Sequence, residues 1–330
     1  MKTYLITGSS GFIGFNLAKR LLLEKDILVV GLDNMNDYYD LDLKEYRLNS
    51  LKEYSNFKFI EGNITNKEFM LELFSKYKFD IVINLAAQAG VRYSIDNPDS
   101  YIETNIIGFY NILEACRYNT PKHLIYASSS SVYGNNTKVP FSTLDKVDTP
   151  VSLYAATKKS DELLAHAYSK LYDIPCTGLR FFTVYGPAGR PDMAYFSFTN
   201  KLINNQSIKI FNHGNCMRDF TYIDDIVEGI MRVINKTPNS LYNIYNIGNG
   251  KPINLLDFVD ILSKELIKEE LLSKDYDLES HLELVPRQDG DVEVTYADTE
   301  EFEKEFKFRP KTTLKKGLSE FVKWYRKYYK

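Results

Sequence analysis

The stretch TYLITGSSGFIG, residues 3–14, carries an apolar run directly into three glycines, Gly8, Gly11 and Gly14, and on into a helix-forming segment. Glycines at such a junction permit a tight turn, let the backbone approach a pyrophosphate and allow the helix to pack closely on the strand. The helix N-terminus then offers unpaired N–H groups and the positive end of its dipole. The spacing, G-x-x-G-x-x-G, is a variant of the dinucleotide fingerprint; a plain glycine-rich turn is the alternative. Asp33 ends the next apolar run, ILVVGLD (27–33), 22 residues after Gly11. An acid there accepts from both ribose hydroxyls and repels a 2′-phosphate, which favours NAD over NADP. Asp-Asn is also a common turn, so the acid gains its meaning from the loop before it.

Four further runs, FKFIEGN (57–63), DIVINLAA (80–87), HLIYASS (123–129) and CTGLRFF (176–182), alternate with amphipathic segments such as GFNLAKRLLLEK and YIETNIIGFYNILEACRYN. This is the pattern of a parallel sheet covered by helices on both faces, with right-handed crossovers. The expected fold is α/β, a Rossmann-type doubly wound parallel sheet with a smaller, interleaved C-terminal substrate lobe. Residues 1–182 form the NAD-binding domain in this reading and 183–330 the main part of the substrate lobe. LYNIYNIGNG (241–250) reads as a buried strand, so a segment near 219–250 is expected to return to the first domain. The charged stretch LIKEELLSKDYDLESHLE (266–283) reads as a solvated helix and loop, and VKWYRKYYK as an amphipathic terminal helix.

The 330 residues are 44% hydrophobic and 26% charged, enough for a large core, and 41 basic against 44 acidic residues leave a net charge of -3. That balance disfavours a broad nucleic-acid footprint. Cys116, Cys176 and Cys216 fit neither a disulfide nor a zinc framework, and His123, His166, His213 and His281 lack metal-ligand spacing. A cytoplasmic protein with no metal, no membrane partner and no export leader is expected.

Gly8, Asp33, Asn63, Leu85 to Gln88, Ser128 to Ser131 and Phe181 to Thr183 all fall at the carboxyl ends of the predicted strands, where open parallel sheets bind ligands. In SLYAATKKS (152–160), Tyr154 and Lys158 stand four residues apart and share one face if the segment is helical. Alone, such a pair is more often a half-buried ring beside a solvated amine. Beside a nicotinamide, the Lys158 ammonium and the positive ring both favour the phenolate, which makes Tyr154 a base. It can take a hydroxyl proton as hydride leaves the same carbon, with Ser129 donating to the developing oxygen.

The motifs TGSSGFIG, DNMNDYY, LAAQAGVRYS, YASSSSVYG, YAATK and RDFTYIDDIVEGI resemble the extended short-chain dehydrogenase/reductase family of nucleotide-sugar enzymes. Within it, AAQAGVRYS and FFTVYGPAGRPDM look like the UDP-glucuronate 4-epimerases. The resemblance implies a UDP-sugar oxidised at C4 to a transient 4-keto form, which swings in the pocket and is reduced on its other face by the same retained NAD. It implies that Tyr154 is the base, that Lys158 orients it and meets the ribose, and that Ser129, Ser130 and Ser131 hold the C4 oxygen and nearby sugar atoms. Thr183 and Arg190 would face the C6 carboxylate, which a guanidinium grips through paired hydrogen bonds; a surface loop charge is the other reading of Arg190. Arg218 would meet the diphosphate, against the alternative of a structural salt bridge. Arg92, Phe211, Arg287 and Gln288 complete the implied substrate set. Phe12, Ile13, Asn34, Ile64, Leu85, Ala86, Ala87, Gln88, Asn105, Ser128 and Phe181 complete the cofactor set. Arg287 and Cys216 depart from the family pattern around the diphosphate.

Rival activities share this scaffold. Dehydratases and decarboxylases place an acid where Ser131 stands, which disfavours them, whereas an epimerase of uncharged UDP-hexoses stays open. A non-catalytic NAD sensor would tend to lose Tyr154 or Lys158. Segments near 101–117 and 154–172 resemble helices that pair across a two-fold axis, so a homodimer is expected.

Overall fold

Residues Lys2–Thr7 (β1), Ile27–Asp33 (β2), Phe57–Glu61 (β3), Ile81–Asn84 (β4), His123–Ser129 (β5), Cys176–Phe181 (β6) and Tyr242–Ile247 (β7) form one sheet, ordered β7-β6-β5-β4-β1-β2-β3, in the computed structural model, which describes residues 1–287 and 293–330. Every neighbouring pair is parallel. The strand order reverses between β1 and β4, where Tyr4 lies opposite Ile81 and Thr7 opposite Asn84. A crevice opens at the carboxyl ends beside that reversal.

Alternate residues of each strand enter different cores, which explains the unbroken apolar runs. Leu5, Val30, Val82 and Leu124 join one core with Phe74, Ile112 and Leu113. Ile6, Val29, Ile83 and Ile125 join the other with Leu17 and Leu21 of the helix Phe12–Leu21. That second core continues without a break into Phe258, Leu262, Leu318, Phe321 and Val322 of the later helices Leu255–Lys268 and Leu314–Tyr329. The C-terminal half is thus built onto one face of the sheet, and β7 pairs with β6 at its edge.

The structure departs from the sequence reading in three places. The run 80–87 leaves the sheet after Asn84, because Leu85 and Ala86 donate their N–H groups to the Thr7 carbonyl and Thr7 Oγ1. The expected helix over 101–119 is divided into a π-helical stretch, Ile102–Gly108, followed by an α-helix, Phe109–Tyr118. Residues 266–283 do not end as loop: Leu282–Leu284 forms a short strand that pairs in parallel with Ile208–Ile210. Asp225 accepts from the backbone N–H groups of Lys311 and Thr312, a bracing role.

Candidate active site

A cleft of about 480 Å³ lies at the carboxyl ends of the sheet. Its cofactor end is built by β1 and the loop after it. Gly8 has φ +70°, and a Cβ there would stand 2.9 Å from the Ala86 nitrogen; a Cβ on Gly14 would sit 2.1 Å from the Gly8 carbonyl oxygen. Only glycine permits this contact between helix and loop. The helix begins after Gly11, whose lack of a side chain leaves the first N–H groups without a side-chain cap. Asp33 is fixed by the Ser10 N–H on one carboxylate oxygen, at 2.9 Å, and the Met35 N–H on the other, at 3.0 Å. Each oxygen keeps a lone pair for a ribose hydroxyl. Gln88 is buried with its Nε2 unpartnered, and it lines the cleft. The glycine cradle, the two-oxygen acceptor and this orphaned donor fit a nicotinamide dinucleotide.

Ser152 caps the helix Leu153–Tyr172 by accepting from the Ala155 N–H, which places Tyr154 in the first turn and Lys158 one turn later. Both line the cleft with Ser128, Ser129, Ser130 and Ser131. The Ser131 hydroxyl and N–H both donate to Ser129 Oγ, at 2.9 and 3.2 Å, so the serine run arrives at the cleft pre-arranged. Lys158 Nζ donates to the Ala127 carbonyl at 3.0 Å and to Asp161 Oδ2 at 3.1 Å. Asp161 is buried, and burial pushes its carboxyl up to about 7 against the opposing pull of Lys158. Behind the serines, Ser128 Oγ donates to Glu162, which also takes a two-point ion pair from Arg180; Arg180 in turn donates to the Tyr133 hydroxyl.

Arg190 and Thr183 line the cleft away from the glycine loop. Asp192 receives two bonds from the Arg190 guanidinium, Nε to Oδ1 at 3.0 Å and Nη2 to Oδ2 at 2.5 Å. Arg190 holds the Asp192 carboxyl below the usual carboxylate range despite burial. Tyr38, from the other wall of the cleft, donates to Asp192 at 3.4 Å, and burial pushes its phenol up to about 12. Arg47, fully buried, ties these walls together: its guanidinium donates to the Ser10 carbonyl and the Tyr39 hydroxyl on one side, and to the Ala188 and Gly189 carbonyls on the other.

Gly8, Gly11, Phe12, Ile13, Gly14, Asp33, Asn34, Asn63, Ile64, Leu85, Ala86, Ala87, Gln88, Arg92, Phe181 and Arg218 also line the cleft. Three other residues read as contacts stand off its wall. Asn105 lies beneath it, bonding the Gln88 backbone in both directions and the Thr157 hydroxyl, so it shapes the wall from behind. Phe211 lies under the Arg92 guanidinium, 4.8 Å from ring centre to Cζ. Arg287 forms an ion pair with Glu293 at 3.2 Å. Gln288 falls outside the described residues. Arg218 donates to the Met217 and Glu293 carbonyls while facing the cleft. Sequence reasoning missed Arg47, Asp161, Asp192 and Tyr38. Only the nearness of Asp161 to Lys158 and of Asp192 to Arg190 offered a signal. Among the described residues, no group of three or more His, Cys, Asp or Glu side chains could hold a metal ion.

The family model described as GDP-mannose 4,6 dehydratase matches residues 5–321. The chain belongs to the extended short-chain dehydrogenase/reductase family. Within it the chain groups with the UDP-glucuronate 4-epimerases. UDP-glucuronate 4-epimerase 4 of Arabidopsis thaliana is 46% identical over 342 aligned positions, spanning 99% of this chain and 76% of that protein. Protein CapI of Staphylococcus aureus is 50% identical over 342 positions and 99% of each chain. The crystal structure of a Bacillus cereus UDP-glucuronic acid 4-epimerase in complex with UDP-glucuronic acid and NAD superposes with a TM-score of 0.90 at 32% identity, covering 99% of this chain and all of that one.

Proposed function

We propose that this chain interconverts UDP-glucuronate and UDP-galacturonate, inverting C4 through a transient 4-keto sugar with NAD as its resident cofactor. The observation that carries this reading is the convergence of Tyr154, Lys158, the serine run, Thr183 and Arg190 on one cleft whose other end is a dinucleotide cradle. NAD, when bound, takes a hydride from C4 and returns it. Asp33 and the glycine loop hold its ribose and pyrophosphate, and Lys158 is placed to meet the second ribose.

Tyr154 removes the C4 hydroxyl proton as the C–H bond breaks and gives it back after the ring has turned. Ser129 and Ser131, already bonded to each other, hold the C4 oxygen in both orientations. Asp161 and the Ala127 carbonyl fix Lys158, so that its positive charge stays beside the phenol's side of the cleft. At the far end, Arg190 and Thr183 receive the C6 carboxylate, which distinguishes a hexuronate from a hexose. Arg218, at the nucleotide end, meets the diphosphate. Dehydration is disfavoured because Ser131 stands where a C5 acid or base would have to be.

Two coarser properties complete the reading. The chain forms a homodimer, supported by exposed apolar side chains at Ile102 and Ile107 on one helical stretch and Leu163 and Leu171 on its neighbour. It works in the reducing cytoplasm, in keeping with three buried free cysteines; no described helix is long and apolar enough to cross a membrane.

The deciding experiment incubates the purified protein, without added NAD, with UDP-glucuronate and follows the galacturonate form by NMR, then repeats it with UDP-glucose and with Arg190→Ala. Turnover of the glucuronate form and loss of discrimination in the variant are expected. An unchanged preference in Arg190→Ala removes the carboxylate assignment, and no turnover of either sugar removes the activity.

A further inference from the structure

We infer that Asp192 is an exchange partner for Arg190: a carboxylate of the protein that takes the guanidinium when the sugar's carboxylate leaves it, and so lets the keto sugar turn. The inference rests on the reading of Arg190 given above and extends it to the motion between the two hydride steps.

The geometry is that of a substrate contact made in advance. Asp192 holds the Nε and Nη2 edge of Arg190, the two-point arrangement a guanidinium makes with any carboxylate. Arg190 lines the cleft together with Tyr154, whose phenol lies within its electrostatic reach, and Asp192 holds the guanidinium from behind that wall. Asp192 is only about one-third exposed and Arg190 less than a quarter, so neither is simply solvated. A third group keeps the acceptor in place when it is not bound to arginine: Tyr38, reaching from 154 residues away in the chain, donates to Asp192 Oδ2.

Two consequences follow from charge balance. With Asp192 bound, Arg190 is neutralised, and an arriving hexuronate must either displace that carboxylate or share the guanidinium with it. Sharing brings two like charges together, so the sugar is held less tightly than a lone arginine would hold it. That weakening is useful in a 4-epimerase. The 4-keto sugar has to present its opposite face while its carboxylate swings with the ring, and a bidentate clamp with no competitor would resist the turn. An internal carboxylate within bonding distance lets one ion pair replace another without leaving an arginine unpaired in a partly buried site.

The test compares wild type, Asp192→Asn and Arg190→Ala, each in its active form and in a Tyr154→Phe background where binding can be measured without turnover. Isothermal titration with UDP-glucuronate should show about two- to fivefold tighter binding in Asp192→Asn, the range set by removing one partly exposed charge contact. In the active form, kcat should fall while KM also falls. The steady-state absorbance of reduced nicotinamide should rise, because the turning step has become slower than the oxidation before it. With UDP-glucose, which has no C6 carboxylate, none of these four quantities should change in that direction.

If Asp192 merely props the guanidinium, Asp192→Asn will bind UDP-glucuronate more weakly, as Arg190→Ala does, with no rise in the reduced cofactor, and the inference is overturned. A variant identical to wild type overturns it equally. Failure of the underlying reading is separate: in that case Arg190→Ala itself binds UDP-glucuronate and UDP-glucose with unchanged preference. Circular dichroism and the NAD content of each variant establish that the comparison is made on folded, loaded protein.

Discussion

Tyr154 owes its position to one hydroxyl, since Ser152 caps the helix and so sets which residues occupy its first turn at the cleft. Replacing Tyr154 by Phe keeps the ring and its edge contact with Tyr101 while deleting the only group on it that moves a proton. Epimerisation in Tyr154→Phe should fall by about 10²- to 10⁴-fold, the usual share of general acid–base catalysis, with UDP-glucuronate affinity little altered; initial rates by NMR and titration calorimetry check both. A variant that inverts the sugar at wild-type speed would remove the phenol from the mechanism. The tyrosine, the lysine and the glycines were readable in the sequence because their meaning lies in short spacings. Asp161 and Asp192 were not, although each stands two or three residues from a recognised one. What makes an acid important there is what lies across from it, and a lone sequence does not print that.

At the level of strands and helices, the positions of the first six strands were legible because most of them are buried on both faces and so write themselves as continuous apolar runs; β3, at the sheet edge, is only partly buried. Their ends were less so: the 80–87 run stops early for the sake of Thr7, a residue on another strand. β5 carries a feature with a measurable effect on stability. His123 is 3% exposed, its Nε2 is 2.8 Å from Thr177 Oγ1 on β6, and burial pushes its imidazole down to about 4. The unfolded chain takes up that proton near the ordinary value of about 6.5. Between those two pH values the unfolded state binds more protons than the folded one, so stability is fully present above the upper value and is lost as the pH falls towards the lower. Urea midpoints measured across this window should decline more steeply for wild type than for His123→Leu. Parallel slopes would show that the strand bears the charge without cost.

Across the whole molecule, the two halves share a core and a cleft, and the proposed dimer would be carried by the outer helices. Leu163 is 60% exposed on the helix Leu153–Tyr172, which also carries Tyr154 and Lys158 into the cleft. Leu163→Glu should convert a dimer to monomer in sedimentation velocity at micromolar concentration, since a charge in an apolar contact loses its hydration for nothing. A variant that still sediments as a dimer, or a wild type that never does, would locate the assembly elsewhere or abolish it. The helix Leu41–Lys52 supplies Arg47, whose carbonyl partners Ala188 and Gly189 lie 141 and 142 residues further along the chain. One cation, surrounded almost wholly by backbone oxygens, therefore acts as a rivet through the roof of the cleft. The two walls of the cleft are anchored to one another through it, so a looseness acquired on either side is inherited by both.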